Sequence, residues 1–291
     1  MKFVTDFVTS KDGTKIGYRR YGTGPGLVLV QGAMAYAGQY SQLAEELADS
    51  FTVYVPDRRG RGMSPRAFTP EHIIDRDVED LQAVLDASGA TRVYGLSSGA
   101  TIALTAAVHL AVLRKIAVFE PPMFVQGLPR DQIARFEHAM GKGDVAEGFA
   151  AAGKALQFVP LLRFIPNWLL ALLVGRMFAA EAKHPKPTGV NDYPPIVEIA
   201  PSVQFDFRIV ADMHGHADVW RAITTDVLVL GGGKSPAFLK ADLEALRTLL
   251  PKAKVVIFPG LDHAASWNPH PQRNPRGDPF TVARELHGFF A

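Results

Sequence analysis

The chain contains no cysteine. Disulfides, iron–sulfur clusters, cysteine-based zinc sites and thiol nucleophiles are therefore excluded. It also lacks an excess of either charge: Lys and Arg number 31, Asp and Glu 29, leaving a formal +2. Nucleic-acid binders usually show basic stripes or arms, so that class is disfavoured. Long hydrophobic runs are missing too. The most apolar stretch, residues 164–175, lies between Arg163 and Arg176 and is broken by Pro166. A bilayer span needs roughly 20 apolar residues, so none is expected. The opening Met1-Lys2-Phe3-Val4-Thr5-Asp6 has no apolar core of a secretory leader, and a cytoplasmic protein is the expectation. What the chain does have is 291 residues, 47% of them hydrophobic, enough for a large buried core.

Short apolar runs alternate with amphipathic segments. Residues 26–32, closed by glycine, 51–56, 91–95, 115–119, 226–230 and 254–258 are short β-rich runs, apolar with no alternation. Such runs fit parallel strands covered on both faces. Between them, Ile74, Val78, Leu81 and Leu85 step at helical spacing, as do Leu239, Leu243, Leu246 and Leu250. A last helix has Asp278 as N-cap and Pro279 at its first position. Residues 3–8 and 14–21 alternate around Lys11-Asp12-Gly13 and predict an antiparallel hairpin. The fold class is α/β: a doubly wound, mostly parallel sheet with an antiparallel start. From about Pro121 to Arg221 the alternation stops; helix-like segments are punctuated by Pro160, Pro166, Pro185, Pro187, Pro194 and Pro195. The expected organisation is a core of residues 1–121 and 222–291 with a helical cap inserted at 122–221.

Candidate chemistry concentrates at Gly95-Leu96-Ser97-Ser98-Gly99, a G-x-S-x-G pentapeptide between a strand and an Ala-rich helix. A sharp strand-to-helix turn of this kind holds a serine hydroxyl above the sheet, and the helix N-terminus behind it favours developing negative charge. The bland alternative is a glycine-rich turn whose serine merely caps the helix.

With Gln31-Gly32-Ala33 after the third strand, Asp57-Arg58-Arg59-Gly60-Arg61-Gly62-Met63-Ser64 after the fourth and Leu261-Asp262-His263 after the last, the chain resembles the α/β-hydrolase superfamily. The resemblance covers nearly everything outside the cap. It implies a nucleophile–acid–histidine triad in that chain order, with Ser97 as nucleophile and His263 as the base that accepts the serine proton. The acid departs from the common pattern. Ser235 stands where a carboxylate is usual, and Ser235-Pro236 reads as an N-cap followed by proline at the first helical position. Glu120, leaving the apolar run 115–119, is the favoured acid, because a carboxylate there is costly to bury without a partner. Asp262 and Asp242 stay as poorer alternatives.

An oxyanion hole needs two backbone N–H groups. Ser98 would supply one and Ala33 the other, although Gln31 replaces the histidine many relatives carry. Substrate contacts are expected from Met34, Met123, Phe124 and Trp168. His214 and His216 are too few for a metal site. Gly233-Lys234-Ser235 is not a phosphate loop, since Leu228 stands where glycine is required. No cofactor and no metal are implied. The expected partner is a small hydrophobic ester or lactone, with a homodimer left open. Three classes remain: an ester or lactone hydrolase working through an acyl-enzyme on Ser97, a carbon–carbon bond hydrolase or perhydrolase on the same triad, and a non-catalytic ligand-binding homologue.

Overall fold

The computed structural model describes residues 3–157, 159–183 and 193–291. Pro185 and Pro187 lie outside them, as does Phe158, one of the apolar residues of the expected cap. The strands are β1 (Val4–Thr9), β2 (Lys15–Tyr21), β3 (Gly26–Val30), β4 (Thr52–Pro56), β5 (Arg92–Leu96), β6 (Lys115–Phe119), β7 (Asp226–Gly232) and β8 (Lys254–Phe258). The helices are α1 (Ser41–Leu47), α2 (Ile74–Ser88), α3 (Ser98–His109), α4 (Arg130–Gly141), α5 (Val145–Leu156), α6 (Asn167–Glu181), α7 (Ile196–Ile199), α8 (Val203–Met213), α9 (Ala237–Leu249) and α10 (Pro279–Phe290). The sheet has eight strands in the order β1-β2-β4-β3-β5-β6-β7-β8. β1 and β2 pair antiparallel, β2 runs antiparallel to β4, and the remaining pairs are parallel.

Burial on both faces explains the unbroken apolar runs. Val28, Val93, Ile116, Val118 and Val229 face α2, α3 and α9. Leu27, Leu29, Leu96, Phe119 and Leu230 face α1 and α10. Helix boundaries follow local chemistry. α2 ends at Gly89, whose φ of 66° suits glycine. At the start of α10, Pro279 occupies the first turn and the Asp278 carboxylate accepts from the Thr281 amide at 3.0 Å.

Helices α4 to α8 are all inserted between β6 and β7. Ile133, Phe136, Ala151, Ala152 and Ala155 of α4 and α5 close on Val203 and Phe207 of α8. Behind them, Leu170, Val174 and Phe178 of α6 pack on Ala150. No helix among the described residues is long and apolar enough to cross a membrane.

Tight approach of backbones governs the β5–α3 turn. A Cβ on Gly99 would lie 2.4 Å from the Val30 carbonyl oxygen and 2.5 Å from that of Gln31. Gly99→Ala should therefore cost more than the about 1–3 kcal/mol of ordinary overpacking. Gly288, in α10 with nothing within 4 Å of such a Cβ, is the control. Gly288→Ala should be neutral or stabilise by roughly 0.5–1 kcal/mol. Urea midpoints of the two variants check this, and equal midpoints would contradict it.

Candidate active site

Ser97 joins β5 to α3 with φ 55° and ψ −126°, a conformation that L residues hold only under constraint. Its amide donates to the Phe119 carbonyl at 2.9 Å, and its own carbonyl accepts from Ala100 and Thr101. The turn is thus tied to the end of β6 and to the first turn of the helix. Gly32 lies against it: a Cβ there would sit 2.9 Å from Ser97 Cβ.

Glu120 follows β6, also with positive φ (46°), and its carboxylate is almost fully buried. One oxygen, Oε1, accepts from the Gly232 amide at 2.7 Å. The other, Oε2, lies 2.8 Å from His263 Nδ1 and accepts from the Ser235 hydroxyl at 2.9 Å. Glu120 and His263 are thus within hydrogen-bond distance of each other. Asp242 is committed elsewhere, accepting from the amides of Met123, Phe124 and Val125 at 2.9 Å each. The Asp262 carboxylate accepts from the Ala264 amide and from Arg276.

The reading of Ser235 needs correction. α9 begins at Ala237, with Pro236 in the capping position, and the Ser235 hydroxyl is spent on Glu120. The Ser235 side chain thus hydrogen-bonds a carboxylate at the end of the neighbouring strand β6.

Ser97 and His263 line one narrow cavity with Ala33, Ser98, Pro122, Phe124, Leu156, Val203, Asp206, Phe207, Val210, Phe238 and Leu239. Its free space is about 30 Å³. Phe124 stacks on Phe238, ring centroids 4.9 Å apart. Ser98 opens α3, so its amide is among those that a helix leaves without an intrahelical acceptor. Three expected contacts fall elsewhere. Met34 packs against the cluster around Ile133 and Phe136. Met123 lines a separate surface cleft with His214 and Arg221, because Asp242 anchors its backbone. Trp168 is 70% exposed on α6, whose Leu170, Val174 and Phe178 pack on α5. Helical spacing indicates a face but not what that face meets. Among the described residues no cluster of three or more His, Asp or Glu could hold a metal ion.

A buried ionic cluster adjoins the cavity, and sequence reasoning missed it. Asp206 of α8 accepts from Arg58 at 2.8 Å, from Arg61 at 2.5 Å and from the Ser98 hydroxyl at 2.5 Å. Arg58 also meets Asp77 at 3.1 Å, and Asp77 meets His72 at 2.8 Å. Burial opposes the Asp206 charge, but Arg61 and Arg58 outweigh it and hold the carboxyl below its ordinary range. One signal was available. Asp206 sits on the apolar stripe Val203, Phe207, Val210, where an unpaired carboxylate is not tolerated.

A sequence profile of the alpha/beta hydrolase family matches residues 27–273. The chain belongs to the alpha/beta hydrolase family. It is 34% identical over 293 aligned positions to N-formylmaleamate deformylase of Pseudomonas putida, covering 99% of this chain and 95% of that protein. An alpha/beta hydrolase from Sphaerobacter thermophilus superimposes with TM-score 0.75 at 30% identity, covering 98% of this chain and all of that one. E-2-(acetamidomethylene)succinate hydrolase shares the fold, with TM-score 0.65 at 19% identity over 99% of each chain.

The carboxylate geometry yields a test. Glu120→Gln should leave the protein folded and lower kcat on the order of 10²–10⁴-fold, because an amide favours the wrong imidazole tautomer and cannot stabilise the imidazolium. A hydrogen bond to a charged group contributes about 1.5–3 kcal/mol, so Ser235→Ala should lower kcat roughly tenfold through Glu120. Steady-state kinetics on a chromogenic ester check both. Full activity in Glu120→Gln would exclude the carboxylate from the reaction.

Proposed function

We propose that this protein is a serine hydrolase that cleaves a carboxylic ester or lactone bearing a small hydrophobic acyl group, through an acyl-enzyme on Ser97. The observation that carries the reading is the pairing of Glu120 with His263 Nδ1 at 2.8 Å, on an imidazole that shares a cavity with Ser97. A serine hydroxyl is a weak nucleophile until a neighbouring base takes its proton. His263 Nε2 accepts that proton as Ser97 Oγ bonds to the substrate carbonyl carbon, and the carbonyl electron pair moves onto oxygen. The amides of Ala33 and Ser98 receive this oxyanion. Collapse of the adduct breaks the bond to the leaving oxygen, which takes the proton from His263. A water molecule then repeats the sequence on the acyl-enzyme, releasing the acid and restoring Ser97. Glu120 orients the ring and stabilises its charged form throughout.

Helices α5 and α8 act as a cap in this reading. The cavity, at about 30 Å³, is far smaller than the roughly 300–1,000 Å³ of small-molecule sites, so the cap moves to admit substrate. Its lining of Pro122, Phe124, Leu156, Val203, Phe207 and Leu239 favours an apolar acyl group. The similarity to N-formylmaleamate deformylase supports a second reading, hydrolysis of a small N-acyl amide by the same steps.

A panel of p-nitrophenyl esters and an N-formyl amide separates the two readings. Acetate and butyrate esters should be turned over faster than octanoate, a fluorophosphonate should label Ser97, and Ser97→Ala should lose at least ~10³-fold in kcat. Turnover of the amide alone would favour the second reading. Labelling of Ser98 or Ser235 in place of Ser97 would overturn both.

A further inference from the structure

We propose that Arg61, held by Asp206 of the inserted helix α8, is a positioning residue that orients and polarises the Gly32–Ala33 peptide as an oxyanion donor. The inference rests on the reading of Ser97 as nucleophile and of the Ala33 amide as one of its two donors.

Arg61 stands inside the run Gly60-Arg61-Gly62, and its side chain is completely buried. A guanidinium there must have partners, and it has two kinds. Nη1 donates to the Gly32 carbonyl at 2.7 Å, and Nη2 to Asp206 Oδ2 at 2.5 Å. The Gly32 carbonyl and the Ala33 N–H belong to one planar peptide and point in opposite directions. Fixing the oxygen therefore fixes the direction of the hydrogen. A charge-assisted bond to that oxygen also strengthens the N–H as a donor, since linked hydrogen bonds polarise one another.

The loop needs such an anchor. Met34, next after Ala33, has φ 62°, a left-handed conformation that persists only when its surroundings impose it. The second candidate donor is tied to the same carboxylate. Asp206 Oδ1 accepts from the Ser98 hydroxyl at 2.5 Å, and Arg58 bonds Asp206, the Ser98 hydroxyl and the Gln31 carbonyl from one nitrogen. Both donors thus depend on one side chain that the inserted helix presents to the cavity. When α8 is seated, the hole is formed; when α8 lifts, Arg61 loses the carboxylate that aims it.

The test compares Arg61→Met, Arg61→Lys and Asp206→Asn with the full-length wild type, each checked for folding by circular dichroism. The readouts are kcat and KM for p-nitrophenyl butyrate, and the inhibition constant of an aryl boronic acid. In that inhibitor Ser97 Oγ bonds to boron and its proton passes to His263, leaving an anionic tetrahedral adduct with an oxygen toward the donors. Removing one oxyanion donor typically costs about 10²–10³ in kcat. Arg61→Met should accordingly lose on the order of 10²-fold in kcat and a similar factor in boronate affinity, with KM changed less than about threefold. Arg61→Lys, which keeps a cation able to reach the Gly32 carbonyl, should recover part of both. Asp206→Asn, isosteric with the native side chain, should lose kcat and boronate affinity together, and carries the test if Arg61→Met does not fold. Folded variants with unchanged kcat and boronate affinity, or a loss confined to KM, would overturn the proposal. A wild type that hydrolyses no ester and binds no boronate would instead overturn the reading of Ser97 on which it rests.

Discussion

The left-handed turn at Ser97 is the constraint around which the surrounding structure is arranged. A residue at φ 55° and ψ −126° costs of order 1–3 kcal/mol and persists only where neighbours over-determine it. Here the β6 carbonyl of Phe119 holds its amide, and the first turn of α3 holds its carbonyl. Glycines at 95 and 99 let the turn close against Ala100 and against the end of β3. Strain at one residue is thereby spread over three parallel strands and a helix. This is why β3, β5 and β6 must be adjacent in the sheet.

Two carboxylates buried beside that turn, Glu120 and Asp206, each have several partners. Glu120 shares its two oxygens among an amide of β7, a hydroxyl and an imidazole. Asp206 shares its own between two guanidinium groups and a hydroxyl. Buried charges are tolerable only when both the Coulombic pairing and the hydrogen-bond valences are satisfied. The two carboxylates therefore sit where a strand end, a helix start and a loop converge, since only there are enough donors within reach.

Local chemistry made part of this arrangement legible in the sequence. The strand-like run at 91–95, two glycines and a serine suffice to read the turn, because its sequence signature lies within five residues. Glu120 was legible because a carboxylate leaving an apolar strand must find a partner. Ser235 was misread as a helix cap, since its actual partner is 115 residues away and a local pattern competes for the same hydroxyl. Trp168 was placed at the pocket on apolar character alone, yet α6 turns it outward because Leu170, Val174 and Phe178 take the inner face. The arginines at 58 and 61 lie in a run read only as a family marker, and nothing local reveals that the carboxylate they share comes from a helix almost 150 residues later.

That separation bears on modularity. Insertions between β6 and β7 occupy a position where a chain accepts new segments easily, and exchanging one insert for another is an obvious route to altered specificity. In this molecule the insert is electrostatically keyed to the core. A foreign insert without a carboxylate at the position of Asp206 would strand the Arg61 guanidinium and leave Arg58 with Asp77 alone, and the graft would be opposed by the energetics of desolvation before any question of substrate arose. Recombination among relatives should therefore transmit Arg58, Arg61 and Asp206 as a linked set or not at all.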